Sequence, residues 1–136
     1  MRRILALVFL TCLMVGLLAA CGGGTAQPTA VPGAVKAVQD YLQAVVAKDV
    51  NKVSTLSCKD WEQSAIQEVD SLQAVTAALS GVACAQSGTD AANTLVKCQG
   101  KILITYNTEQ QELDLSLRTY EVSQSGGDWL VCGYQQ

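Results

Sequence analysis

Six cysteines and no histidine define the side-chain chemistry that this sequence of 136 residues can offer. Thiols can bind a metal, attack a substrate, pair as disulfides or carry a covalent modification. Pairs of serine or cysteine with a histidine base are excluded, because the chain has no histidine. A zinc site is disfavoured, because no two cysteines stand in a Cys-x-x-Cys arrangement. Disulfides and covalent modification remain as roles for the thiols, and we expect neither a metal nor a cofactor.

Cys21 ends the first apolar stretch, which follows Met1-Arg2-Arg3 and runs from Ile4 to Ala20. A basic start, a short apolar segment and small residues before a cleavage point are typical of a secretory signal peptide. A transmembrane anchor needs about 20 apolar residues. Here the stretch is slightly shorter and ends in small residues rather than charges. Residues 1–20 are therefore predicted to be a leader that is removed.

The junction Leu18-Ala19-Ala20-Cys21 resembles the lipobox of bacterial lipoproteins, in which leucine and two small residues precede the cysteine. The resemblance implies cleavage before Cys21, a diacylglycerol on its thiol and a further acyl chain, such as palmitate, on the new amino terminus. Two or three acyl chains hold a protein stably on a membrane, because each CH₂ group buried in the bilayer contributes about 0.8 kcal/mol. We therefore expect a lipid-anchored protein on the extracytoplasmic side of the cell membrane. The alternative is cleavage elsewhere, which would leave Cys21 as an ordinary thiol.

Composition divides the remaining chain into a tether, residues 21–33, and one domain, residues 34–136. The tether is rich in glycine, proline and threonine and carries no charge, which is typical of a flexible linker. Loss of Arg2 and Arg3 leaves seven Lys and Arg against twelve Asp and Glu, a net charge of −5. No basic patch stands out, so binding to nucleic acid or directly to anionic lipid is not expected. The lipid on Cys21 is the expected membrane contact.

Four cysteines remain in the domain, an even number that predicts two disulfides in an exported protein. Four cysteines allow three connectivities. A turn near Ala91 would set Cys84 opposite Cys98, which leaves Cys58 to pair with Cys132. That second bond would join the helical region to the last strand across a loop of more than 70 residues.

The first half of the domain shows helical spacing of its apolar residues. Residues 34–48 place them at intervals of three and four, and Asp49 is predicted to cap a short second helix over residues 50–56. A longer helical region is expected from Cys58 to Gly81, with a break near Asp70. Its inward residues would be Trp61, Ala65, Val69, Leu72, Val75 and Leu79.

After Gly81 the apolar period is expected to change to two, the period of strands. A turn at Thr108-Glu109 would pair Ile104 with Leu113, with a bulge near Thr119 and a last strand over residues 129–134. In this register Leu113, Leu115 and Leu117 share the inner face. The outer face would carry Lys97, Lys101, Glu112, Asp114 and Arg118.

Helices followed by a curved antiparallel meander of about four strands constitute an α+β order. The opening VQDYLQAVVAKDVNKVSTL and the final GGDWLVCGY are similar to the nuclear transport factor two-like superfamily, the cystatin-like cone. The resemblance implies a cone of N-terminal helices on a curved antiparallel sheet. That superfamily includes isomerases in which a tyrosine of the first helix stabilises an oxyanion, and Tyr41 stands at the matching place.

Of the groups that the isomerase mechanism needs, only the tyrosine has a match in this sequence, at Tyr41. The mechanism also needs a carboxylate base and a protonated acid in the pocket. The stretch GVACAQSG offers no acid at the base's position, and Thr119 and Tyr120 stand where the second acid would be sought. Asp60 and Glu62 flank Trp61 and point apart on a helix, which favours solvated carboxylates. Tyr41 is then interpreted as a half-buried helix residue that closes the cone.

Aromatic residues could instead line a ligand pocket, or serve as core and rim. The candidates are Tyr41, Trp61, Tyr106, Tyr120, Trp129 and Tyr134. We therefore expect a non-catalytic binding or interaction domain for a small apolar ligand or an envelope protein. One alternative is an isomerase or cyclase-like enzyme with Tyr41 as oxyanion donor. A second is a structural envelope protein that forms a homodimer through the sheet face.

Overall fold

The structure, a computed structural model, describes residues 31–136. The predictions on the leader, on Cys21 and on most of the tether lie outside the described residues. Three helices come first: α1 (Pro32–Val46), α2 (Val50–Thr55) and α3 (Glu62–Ser71). Five strands follow: β1 (Thr76–Asp90), β2 (Asn93–Tyr106), β3 (Glu109–Asp114), β4 (Thr119–Ser125) and β5 (Asp128–Gln135). The helices pack against an antiparallel sheet, so the predicted α+β fold is confirmed.

The first helix begins two residues earlier than predicted. Pro32 and Gly33, assigned to the tether from composition, belong to α1, because proline is well suited to the first turn of a helix, where a missing backbone N–H costs nothing. The Asp49 carboxylate accepts a hydrogen bond from the Lys52 backbone N–H at 3.0 Å, so the predicted cap of α2 is confirmed. The inward face of α1 is buried almost completely; it comprises Ala34, Ala37, Val38, Tyr41, Leu42, Ala44, Val45 and Val46.

The prediction of a helical region reaching Gly81 is wrong. Helix α3 ends at Ser71, and β1 begins at Thr76, where it pairs with Thr105 of β2. A short apolar run fits a helix or a strand equally well by spacing alone, and here pairing with β2 decides for the strand. Gly81 ends no helix; with φ of +62° it lies in a bulge between Ser80 and Ala83.

Strands β3 and β4 share one neighbour, β2. β3 pairs with residues 101–106 of β2, and β4 pairs with residues 94–97. A 3₁₀ turn over Leu115–Leu117 separates them. The five strands therefore occupy four rows. The bulge predicted near Thr119 lies two residues further on, between Glu121 and Val122, where the pairing of β4 with β5 shifts register.

The 3₁₀ turn overturns one predicted side-chain direction. Leu115 is fully buried as expected, whereas Leu117 is 69% exposed. Strict alternation would have placed both leucines on the inner face. Alternation fails because a 3₁₀ turn advances by three residues per turn rather than two.

The predicted register of the β2–β3 hairpin is also wrong, by two residues. Ile104 faces Gln111 and Ile102 faces Leu113. The hairpin closes on Asn107-Thr108 rather than on Thr108-Glu109, and Asn107 adopts φ of +54°. Asparagine tolerates this left-handed conformation, which two-residue hairpin turns favour. A shift of two preserves which face each side chain occupies.

Two disulfides connect the four cysteines of the domain. Cys84 and Cys98 lie directly opposite each other on β1 and β2 and are bonded. Cys58, in the loop before α3, is bonded to Cys132 on β5. Two backbone hydrogen bonds of 2.8 Å, from Cys58 N–H to Val131 and from Val131 N–H to Leu56, reinforce this junction. The loop between α2 and α3 thus covers the β5 edge of the sheet.

Within residues 31–136, no helix combines the length and apolar character needed to cross a bilayer.

Candidate functional site

A buried polar cluster joins the helices to the sheet. The Tyr41 hydroxyl donates to Glu68 Oε2 at 2.7 Å, and Arg118 Nη1 donates to Glu68 Oε1 at 3.0 Å. The Arg118 and Glu68 side chains are 11% and 19% exposed. Both oxygens of one carboxylate are thus engaged, by a phenol of α1 and by a guanidinium at the start of β4.

Each member of the cluster stands on the inward side of its own element. Tyr41 lies in the buried face of α1, and Glu68 follows Trp61 and precedes Leu72 along one stripe of α3. Arg118 precedes β4 by one residue and shares a face with Tyr120, because strand side chains alternate. The cluster therefore forms where three inward-facing surfaces meet.

Aromatic rings enclose this cluster. Trp61 Nε1 donates to the Tyr41 hydroxyl at 3.3 Å, so that hydroxyl both donates and accepts. Tyr134 packs edge-on against Trp61 and Tyr120, with ring centroids 5.4 and 5.7 Å apart. The Arg118 guanidinium carbon lies 4.1 Å from the Tyr134 ring centroid, within cation–π distance. Aromatic packing and hydrogen bonds together hold Arg118 in one position.

Burial and the Glu68 charge set the ionisation of the tyrosines. Burial, then the charge of Glu68, raises the pKa of Tyr41 far above its ordinary value. Burial raises the pKa of Tyr120 to about 12, although Arg118 acts in the opposite direction. The pKa of Tyr134 is raised for the same first reason. Burial lowers the pKa of Arg118, but the charge of Glu68 and the phenols of Tyr120 and Tyr134 together outweigh burial, so the pKa is raised and the guanidinium stays charged.

The Tyr120 hydroxyl is the least well satisfied polar atom of this cluster. The side chain is fully buried, and its hydroxyl has no hydrogen-bond partner of good geometry among residues 31–136. Arg118 nevertheless lies close enough to lower the pKa of this phenol.

Arg118 lines two spaces. A small cleft of about 60 Å³ beside Glu68 is lined by Glu68, Arg118 and mainly apolar side chains of α1, α3, β2 and β3. A larger space, the outer cleft, of about 430 Å³ is lined by Glu112, Leu113, Asp114, Leu117, Arg118 and Gln136. Leu113 and Arg118 line both spaces. The small cleft has room for about two waters, whereas the outer cleft is large enough for a small molecule.

The aromatic residues considered from the sequence divide between two places. Tyr41, Trp61 and Tyr120 lie together around Glu68, and Tyr134 lies with them. Tyr106 is 57% exposed at the end of β2, away from the cluster.

Trp129 belongs to a different surface. Its indole packs on Gly33, where a Cβ atom would lie 2.4 Å from the ring. It lines a separate cleft of about 370 Å³ between the start of α1 and the turn before β5.

Sequence reasoning missed Glu68 and misplaced Arg118. Glu68 occupies the stripe that carries Trp61 and Leu72, and an acid in an apolar stripe is the signal that could have revealed it. Arg118 was predicted on the outer, solvated sheet face, which is wrong, because it points to Glu68. Counting alternation back from buried Tyr120, rather than forward from Leu113, would have placed it inside.

The carboxylates beside Trp61 do not join the cluster. Asp60 is exposed, and Glu62 accepts a hydrogen bond from the Ser54 hydroxyl. Among residues 31–136, no group of three or more cysteine, aspartate or glutamate side chains could hold a metal ion.

Comparison with known proteins gives structural likenesses at low identity. No protein family matches the chain. No curated protein matches it either. Among solved structures, a SEC-C motif containing protein from Rhodopseudomonas palustris is similar over 73% of this chain and 74% of its own, at 8% identity and a TM-score of 0.48.

Two further solved structures resemble the domain. Bd1075 from Bdellovibrio bacteriovorus is 15% identical over 74% of this chain, with a TM-score of 0.49, and the chain spans 38% of Bd1075. A substituted form of Rd1NTF2_05, an NTF2-like designed protein, is 11% identical over 74% of this chain and 92% of its own, with a TM-score of 0.44. The α+β assignment depends on this chain's own helices and sheet.

Proposed function

We propose that this chain is an exported lipoprotein, anchored through acyl chains on Cys21, whose domain binds a ligand or an envelope partner without catalysis. The leader and the sequence Leu18-Ala19-Ala20-Cys21 support export and anchoring. Two disulfides in the domain are compatible with an oxidising compartment outside the cytoplasm.

The hydrogen bonding of Tyr41 is the observation that favours binding over catalysis. A phenol has one hydrogen to donate, and that of Tyr41 goes to Glu68. Tyr41 is fully buried, and the small cleft beside Glu68 is about 60 Å³, too small for a substrate of several rings. Oxyanion stabilisation requires donors aimed at the reacting oxygen. In this arrangement the Tyr41 hydroxyl forms hydrogen bonds inside the domain and has no hydrogen left to donate to a substrate.

Glu68 is the one observation that favours the enzyme as a second candidate. An isomerase needs a carboxylate near the tyrosine, and Glu68 Oε2 is 2.7 Å from the Tyr41 hydroxyl. That carboxylate is bound on both oxygens, by Tyr41 and by Arg118. As a base it would first have to leave one of these partners. Exchange of the α-protons of a small ketone for deuterium, lost in Glu68→Gln, would establish the enzyme.

Membrane fractionation tests the anchoring. The Cys21→Ala variant is expected to leave the membrane fraction and to lose labelling by radioactive palmitate, because the acylated thiol is absent. Cys12→Ala is the matched control, since Cys12 lies within the predicted leader and should change neither result. Unchanged fractionation of Cys21→Ala would contradict the proposal. A separate experiment tests the binding role: the wild type is cross-linked, extracted from membranes in detergent, and its envelope partner is identified by mass spectrometry.

A further inference from the structure

The outer cleft is a product of the break between β3 and β4. The 3₁₀ turn directs Leu115 into the core and Leu117 outward, so a leucine that is 69% exposed forms one wall. Leu113 contributes further apolar surface to the lining, and Arg118 contributes its guanidinium. The volume of about 430 Å³ lies within the range of small-molecule sites.

Arg118 brings hydrogen-bond donors that are held in place. A guanidinium has five N–H donors, and one of them goes to Glu68. The ring of Tyr134 and the carboxylate of Glu68 prevent the side chain from swinging away. Donors held by the protein in advance lose little entropy when a ligand arrives. The cleft therefore presents an ordered donor next to two apolar side chains.

The charges around the cleft select the kind of acceptor. Glu68 already balances the charge of Arg118, and the two carboxylates at the cleft belong to Glu112 and Asp114. Lys101 pairs with Glu112, while Asp114 accepts from the Ser116 backbone N–H and keeps its charge. A ligand carboxylate would be repelled by Asp114, which forms no ion pair within the described range. A ligand ammonium has no lone pair and could not accept a hydrogen bond from Arg118. A neutral oxygen acceptor meets both conditions.

We propose that the cleft between Leu113 and Leu117 binds a neutral molecule with an aliphatic body and a carbonyl oxygen, an alkyl amide or ester, whose oxygen accepts from Arg118. This proposal rests on the binding role proposed above and names its ligand class. Leu113 and Leu117 cover the aliphatic part, and Arg118 binds the oxygen. Tyr41 takes no part.

Three probes of equal chain length test the ligand class: hexanamide, hexanoate and hexylammonium. They are titrated into the full chain carrying Cys21→Ser, so that no acyl chain competes, while NMR follows the methyl groups of Leu113 and Leu117. We expect saturable shifts with hexanamide and binding weaker by roughly fivefold or more for either ion. Equal binding of the three probes, tighter binding of an ion, or no shift at these methyls would overturn the proposal.

Two exposed apolar residues supply a matched pair of variants. Leu117→Ser should weaken hexanamide binding by roughly fivefold, because part of the aliphatic chain loses its contact. Tyr106→Ser removes a similarly exposed side chain outside the cleft and should leave binding unchanged. Both sites are exposed, so neither variant should unfold the domain. Equal binding by wild type and Leu117→Ser would count against the cleft.

The membrane result separates the two proposals. The wild-type protein could fractionate with membranes and co-purify with a partner but not bind hexanamide. That result would overturn the ligand class alone. Loss of membrane attachment overturns the anchoring and leaves the cleft to its own test.

Discussion

Arg118 and Glu68 stand fifty residues apart in the chain and meet inside the domain, with guanidinium Nη1 donating to the carboxylate at 3.0 Å. The bond joins α3 to the sheet next to the small cleft and the outer cleft, both of which Arg118 lines. It also aligns Arg118 for any ligand that enters the cleft. Stability of the domain and the donor at its candidate binding site therefore depend on one ion pair.

Removal of the Glu68 charge should destabilise the domain. Glu68→Gln preserves the shape but leaves the mostly buried guanidinium without its counter-charge, which we expect to lower the free energy of unfolding by about 3 kcal/mol. Urea unfolding measures the change. Replacement of both partners, Glu68→Leu with Arg118→Met, should recover much of the loss, because no buried charge is then left unpaired.

An exposed ion pair is the matched control. Lys101 and Glu112 are 46% and 51% exposed, so Glu112→Gln should leave the free energy of unfolding nearly unchanged, because water screens the pair. Similar losses of stability for Glu68→Gln and Glu112→Gln would show that the Arg118–Glu68 pair stabilises the domain no more than an exposed ion pair does.

Tyr41→Phe should reduce stability without altering the cleft. The change leaves Glu68 Oε2 without its donor and Trp61 Nε1 without its acceptor, at a cost of about 1–3 kcal/mol. Thermal unfolding detects it, with exposed Tyr106→Phe as the control. Hexanamide binding should persist in the Tyr41 variant. A binding loss of tenfold or more would instead assign Tyr41 a direct role in the site.

Stability should decline in alkali because the buried phenols resist ionisation. The pKa of Tyr120 is raised by burial to about 12, against an ordinary value near 10. Between these values the unfolded chain has released the phenol proton while the folded chain retains it. The native state then binds more protons, so stability is complete below about pH 10 and falls as pH rises toward 12.

Urea unfolding between pH 8 and pH 11.5 measures this decline. Tyr120→Phe should have a shallower decline than the wild type, because one of the groups that resist ionisation is gone. Parallel curves for the two proteins would contradict the assignment to Tyr120.

The two disulfides should contribute unequally. In the chain-entropy account, the Cys58–Cys132 bond, with a sequence separation of 74, is worth about 4 kcal/mol. Cys84–Cys98, with a separation of 14, is worth about 3 kcal/mol. Paired Cys→Ala variants of each bond, compared in urea, should preserve this order. Free thiols detected in the native wild-type protein would refute the pairing itself.

Local signals anticipated much of the helical half of the fold. The cap at Asp49 and the apolar stripe of α1 depend on residues close in sequence, and both are found in the structure. The pairing of Cys84 with Cys98 followed from the same kind of reasoning, since a strand pair places residues opposite each other at predictable separations. The predicted inward position of Leu117 is wrong, because one 3₁₀ turn interrupts the strand period of two residues.

The sequence by itself determined the order of helices and then strands, because helical spacing and strand alternation depend on residues close together in the chain. The leader and the lipobox-like pattern are predictions from adjacent residues of the same kind. Only the tertiary structure decided that Glu68, Arg118 and Tyr41 meet. Ion pairs and hydrogen bonds between distant residues depend on how the elements pack, and helical spacing and strand alternation do not encode that packing. A polar residue in an apolar stripe shows that a partner is needed, and the fold supplies it.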